Sequence, residues 1–109
     1  MARRVGVAVF EAALNIVIHA YTGEVWVRAR PGQLEVEAVD RGPGIADIEL
    51  AMQEGYSTAP PEVREMGYGS GMGLPNIARS ADDLEVTSVE GEGTTVRARF
   101  FWETGTRSQ

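Results

Sequence analysis

Two pairs of stretches in this chain alternate apolar and polar residues with a period of two. "EVWVRAR" (24–30) and "QLEVEAVD" (33–40) are separated by Pro31-Gly32, and "LEVTSVE" (84–90) and "TTVRARFFW" (94–102) by Gly91-Glu92-Gly93. That period belongs to a strand with one buried face, and so short a linker leaves only an antiparallel hairpin. Pro31 followed by Gly32 suits a type II turn. The chain must therefore build a sheet with one apolar face, and other elements must cover that face. In the first hairpin Val25, Val27 and Ala29 point inward with Leu34, Val36 and Ala38, while Arg28 and Arg30 oppose Glu35 and Glu37 outside.

Helical spacing supplies the cover. Val5, Val9, Ala13, Ile16 and Ala20 recur on one face of a helix over 3–21, widened by Phe10, Leu14, Val17 and Tyr21, with Thr22-Gly23 ending it. A second helix is expected over 73–83, with Pro75 tolerated in its first turn, and a short one from Asp47. The fold class is α+β: a two-layer α/β sandwich, its one mixed or antiparallel sheet covered on one face by helices. Residues 1–103 read as one domain and 104–109 as a flexible tail. Between 41 and 73 glycine and proline are frequent, and a connection that long inside a small domain reads as a lid.

Composition removes several classes of function. A net charge of −6 disfavours nucleic acid as a partner. All ten basic residues are arginine, so the lysine of a P-loop is missing. Without cysteine there are no disulfides or thiolate metal sites, and the single histidine does not make a transition-metal site. No apolar run approaches the ~18 residues of a membrane span and no signal peptide is evident, so the expected location is cytoplasmic and off the membrane.

Three constellations carry chemistry. In "EAALNIVIHAY", Glu11, Asn15 and His19 fall four residues apart, on one helical stripe. A carboxylate and an amide there suit Mg²⁺, a hard cation that prefers oxygen. In "DRGPGI" Asp40 ends a strand and Gly42 and Gly44 bend the chain behind it, which presents the carboxylate to a hydrogen-bond donor such as the exocyclic amine of a base. In "GYGSGMGLPN" glycines at 67, 69, 71 and 73 precede a helix, so main-chain N–H groups and the positive helix end can cradle phosphate. Taken singly, each has an ordinary reading: a solvated stripe, an Asp turn, a flexible loop.

Their order is more specific. "ExxxN" on a helix, "DxGxG" after a strand and "GxGxGL" before a helix resemble the N, G1 and G2 boxes of the GHKL ATPase superfamily of gyrases, heat-shock chaperones and histidine kinases. "GEGTTV" (91–96) is similar to its terminal glycine-threonine element, so the resemblance runs from Glu11 to Phe100. Within the superfamily the closest likeness is to anti-sigma-factor, switch-type serine-protein kinases, because sensor histidine kinases usually carry Asn where Glu11 stands. The resemblance implies a Bergerat ATP-binding fold and use of ATP with Mg²⁺. It implies that Glu11 is the general base and that Asn15 binds the metal. Asp40 would bind the adenine amino group with Gly42, Gly44, Ile45 and Thr94 around it. Gly69, Ser70, Gly71, Met72, Gly73 and Leu74 would wrap the phosphates under an ATP lid at 54–70, in which Arg64 is either a phosphate contact or a solvated side chain. His19 marks the likeness without a chemical role.

The implied substrate is a STAS-domain anti-sigma factor antagonist, with a sigma factor or downstream regulator as further partner. Two other readings stand beside it: the ATP-binding domain of a sensor histidine kinase, and a non-catalytic nucleotide-binding regulatory module. Family members usually place a strand and a helix before the N box, whereas Met1 stands ten residues ahead of Glu11. A sheet short of that edge would invite strand exchange or a homodimer.

Overall fold

The computed structural model describes residues 1–53 and 73–103. Their elements run α1 (Ala2–His19), β1 (Thr22–Arg30), β2 (Gln33–Arg41), α2 (Ile48–Ala51), α3 (Gly73–Ser80), β3 (Asp83–Val89) and β4 (Gly93–Phe101). The four strands form one sheet in the order β1-β2-β4-β3, antiparallel throughout. The expected hairpins are thus β1-β2 and β3-β4, and the non-local pairing of β2 with β4 joins them. Gly32 has φ of 81°, as the type II turn after Pro31 requires. Asp47 caps α2, its carboxylate accepting from the Leu50 N–H at 3.0 Å. The lid expected at 54–70 and the tail at 104–109 lie outside the described residues, as do Arg64, Gly69, Ser70, Gly71 and Met72.

The inward face of the sheet is the one the alternation selects. Val36 pairs with Ala98, Leu34 with Phe100 and Ala38 with Val96, and β3 adds Leu84 and Val86 on the same side. Phe100, Ile77 and Val36 are the largest side chains lost to water, and burying each stabilises the fold by about 1.5–3 kcal/mol. α1 and α3 lie on this face. Arg4 near the start of α1 donates to the Ser80 carbonyl at 3.1 Å and stands over the Phe100 ring at 5.7 Å, joining both helices to β4.

Three expectations are corrected here. On α1 the buried residues are Ala8 and Ala12, while Phe10, Val17 and Tyr21 are exposed. Val5, Val9 and Ile16 of the expected face pack against the core as well, and the positions closest to the sheet and α3 are taken by the two alanines. Secondly, α1 stops at His19 because Ala20 turns extended, and the Tyr21 N–H bonds to the Arg41 carbonyl at 2.8 Å. Thr22 and Gly23 are therefore the first residues of β1, paired with Arg41 and Asp40, rather than a helix cap. Thirdly, Val27 and Ala29 face the helix side but are exposed, because β1 is an edge strand that outruns its cover.

The other face carries a lattice of opposite charges. Arg28 and Arg97 both reach Glu37 at 2.8 Å, and Arg99 meets Glu35 at 3.0 Å and Asp83 at 2.7 Å. A face so self-paired is stable in water and needs no covering layer. No helix among the described residues is long and apolar enough to cross a membrane.

Candidate functional site

The polar stripe of α1 is half-buried along its length and runs beneath α3 toward the end of β2. Glu11 comes first. Its Oε2 accepts from Asn76 Nδ2 at 3.0 Å, and Asn76 Oδ1 in turn accepts from Arg79. A donor on one side and an acceptor on the other fix the Asn76 amide, which holds one carboxylate oxygen of Glu11 in place.

One turn on, Asn15 lies against the first residue of α3. A Cβ on Gly73 would stand 2.9 Å from Asn15 Oδ1 and 3.1 Å from Nδ2, so only glycine leaves this amide undisturbed. The first box thus meets the third across the two helices. The N-terminus of α3, with its partial positive charge, sits over the Asn15 amide. Leu74, the next residue, is buried with Pro75 and Ile77 and roots the helix in the core, so from this position only its main chain is free for a ligand.

His19 and Asp40 meet at the far end. Asp40 Oδ1 accepts from the Thr94 main-chain N–H at 3.1 Å, which leaves Oδ2 for another donor. Burial raises the Asp40 carboxyl above its ordinary range, while the Thr94 N–H and the nearby His19 pull it back. Burial likewise lowers the His19 imidazole, and Asp40 opposes that shift. Behind Asp40 the chain bends sharply. Gly42 is buried against Ala20, and Gly44 has φ of 76° with Val89 O only 2.6 Å from where a Cβ would be. The Ile45 N–H then donates to Ser88 Oγ at 2.7 Å, which ties this loop to β3.

The fold therefore brings Glu11, Asn15 and Gly73 together between α1 and α3, and Asp40, Gly42, Gly44, Ile45 and Thr94 together at the end of β2, with the last turn of α1 adjoining this second group at Asp40 and Gly42. Among the described residues no group of three or more His, Asp or Glu side chains could hold a metal ion. A cation here would take the Asn15 amide oxygen together with oxygens of its own ligand, a donor set that suits Mg²⁺. The absence of a Cβ on Gly73 leaves the approach to that oxygen clear.

Two residues escaped sequence reasoning. Asn76 is three residues before Arg79 on α3, a spacing that pairs side chains on a helix. Ser88 shares the inward face of β3 with Leu84 and Val86 and lies opposite Thr94 in register. A polar residue where the alternation calls for an apolar one was the available signal.

The profile of the histidine kinase-like ATPase domain matches residues 1–100. This chain belongs to that family. Among curated members, the serine/threonine-protein kinase RsbT of Bacillus subtilis is 37% identical over 100 residues, covering 87% of this chain and 68% of its own length. An anti-sigma F factor of Caldanaerobacter subterraneus is 40% identical over 95 residues, covering 83% of this chain and 63% of its own length. The solved structure of a mycobacterial sensor histidine kinase, MprB, superposes with a TM-score of 0.68 at 23% identity, over 96% of this chain and 74% of that one. That likeness establishes the shared fold. Membership in the histidine kinase-like ATPase family makes ATP the expected ligand of the cleft.

Proposed function

We propose that this protein is an ATP- and Mg²⁺-dependent serine-protein kinase of the cytoplasm. Its substrate is a STAS-domain anti-sigma factor antagonist, and a sigma factor or downstream regulator is its further partner. The observation that carries the reading is the placement of the Asn15 amide directly beneath Gly73, with the Glu11 carboxylate one turn away and held by Asn76. A protein kinase needs a metal-binding oxygen and a base side by side at the phosphate end of its cleft. The names of the curated relatives, a serine/threonine-protein kinase and an anti-sigma factor, support the same assignment.

Mg-ATP would supply the transferable phosphoryl group and the positive charge that neutralises it. Asn15 would hold the metal through its amide oxygen. Asp40 would accept from the base's amino group and so fix the nucleotide's far end, which orients the phosphates toward α3. Glu11 would take the proton from the acceptor serine hydroxyl through the carboxylate oxygen that Asn76 leaves free. The exposed edge of β1 offers main-chain groups to a partner or to a second copy of the chain.

Glu11→Gln tests the catalytic part. It should bind Mg-ATP as the wild type does, since the amide preserves an acceptor for Asn76, while transfer to serine falls by about 100-fold or more. Unchanged transfer by Glu11→Gln would refute the assignment of the base.

A further inference from the structure

Ser88, which the nucleotide motifs do not include, sits at the centre of a hydrogen-bond network that joins two of them. Its Oγ lies 2.7 Å from the Ile45 nitrogen, 3.1 Å from the Gly93 carbonyl oxygen and 2.9 Å from Thr94 Oγ1. The Ile45 N–H can only donate and the Gly93 carbonyl can only accept. A serine hydroxyl has one proton, so Ser88 gives it either to Gly93 or to Thr94.

The two arrangements present different surfaces. If the Ser88 proton goes to Gly93, the Thr94 hydroxyl donates to Ser88 and turns only lone pairs outward. If the Ser88 proton goes to Thr94, a directed chain forms from the Ile45 N–H through Ser88 to Thr94, and the Thr94 proton is free to point outward. Such a chain strengthens each of its members. Asp40 next to it offers Oδ2 as an acceptor, because the Thr94 main-chain N–H on Oδ1 favours the ionised, acceptor-only carboxylate. Asp40, Ser88 and Thr94 all border the open depression at this end of the sheet.

We propose that Ser88 is a positioning residue for base selection: it directs the Thr94 hydroxyl to donate, so that Asp40 and Thr94 together present an acceptor beside a donor. Adenine has the complementary edge, an amino donor next to a ring nitrogen acceptor. Guanine has the inverse there, a carbonyl acceptor next to a ring N–H, and would meet acceptor with acceptor. A water bridging Thr94 to the base keeps this sense, since on receiving the Thr94 proton it has its own protons left for the ring nitrogen. The inference deepens the nucleotide-binding reading and rests on it.

The test is titration of the full chain with Mg-ATP and Mg-GTP by calorimetry, for the wild type, Ser88→Ala, Ser88→Thr and Thr94→Val. One neutral hydrogen bond sets the scale, so Ser88→Ala should weaken ATP by about 3- to 10-fold and leave GTP unchanged or tighter. Ser88→Thr keeps the hydroxyl and should restore the ratio. Thr94→Val keeps the N–H to Asp40 and should lower the ratio as Ser88→Ala does, and the double variant should lower it no further. Should Ser88→Ala not fold, Thr94→Val and Ser88→Thr still decide: a wild-type ratio in Thr94→Val overturns the proposal. Equal weakening of ATP and GTP by Ser88→Ala would mean a merely structural role and also overturns it. A wild-type chain that binds neither nucleotide sinks the site reading itself. By contrast, ATP binding that depends on Asp40 but keeps its ratio in Ser88→Ala sinks this inference alone.

Discussion

Gly73→Ala should separate the nucleotide site from the stability of the fold. Gly73 opens α3 without a positive φ, so alanine gains about 0.5–1 kcal/mol of backbone entropy there. Against this, the new Cβ would stand 2.9 Å from Asn15 Oδ1 and 3.1 Å from Nδ2. Those atoms are the far end of a rotatable side chain, and turning it off its rotamer costs about 0.5–1.5 kcal/mol. The two terms nearly cancel, and urea unfolding should place the variant within about 1 kcal/mol of wild type. Binding has no such compensation. An amide oxygen turned away from a charged ligand forfeits about 1.5–3 kcal/mol, so calorimetry should find Mg-ATP bound about 10- to 150-fold more weakly. In the background of Asn15→Ala, where no amide is left to displace, Gly73→Ala should weaken binding no further. Wild-type affinity in Gly73→Ala would refute the contact between the two boxes, and so would a loss that merely follows unfolding.

Phe100→Ala empties the centre of the core and should cost about 3–5 kcal/mol in urea unfolding, a large part of the stability of a domain this size. Arg99→Ala removes the shared partner of Glu35, Asp83 and Glu85 on the open face, and should cost about 1 kcal/mol at low salt and less at 0.5 M, with nucleotide binding unchanged. Because burial holds the His19 imidazole below its ordinary value of about 6.5, the unfolded chain takes up the proton first as pH falls. Stability from this group is therefore full above about pH 6.5 and is lost as pH falls toward the lowered folded value, and thermal melts of His19→Gln should be flatter across that range.

Much of the fold is legible in the residues because a two-residue period has only two faces. Val36, Ala38, Val96, Ala98 and Phe100 are the inward set on alternation alone, and the core is built on them. α1 was legible as a helix and Val5, Val9 and Ile16 do face the core, but the residues added to widen that face were misplaced. Hydropathy favours Phe10 and Val17, whereas close approach to the sheet and α3 favours Ala8 and Ala12, and no local signal reports a distance between elements. Thr22 and Gly23 look like a helix end and become strand through pairing with Arg41 and Asp40, residues far along the chain. At the candidate site, Glu11, Asn15, Asp40, Gly42, Gly44 and Gly73 were picked out because the order of their motifs resembles that of one family. Asn76 and Ser88 act through contacts with residues 65 and 43 positions away, and only the folded chain brings those together. The bond from the Thr94 main-chain N–H to Asp40 is likewise visible only in the folded chain.

The central claim is phosphoryl transfer from ATP to a serine. Its most direct measurement is incubation of the protein with Mg-ATP labelled at the γ-phosphate and a STAS-domain anti-sigma factor antagonist, followed by acid treatment and mass spectrometry of both proteins. The account predicts acid-stable phosphoserine on the antagonist, lost in Glu11→Gln and in Asn15→Ala. Label held on histidine and released by acid would contradict it, as would tight ATP binding with no transfer to any serine.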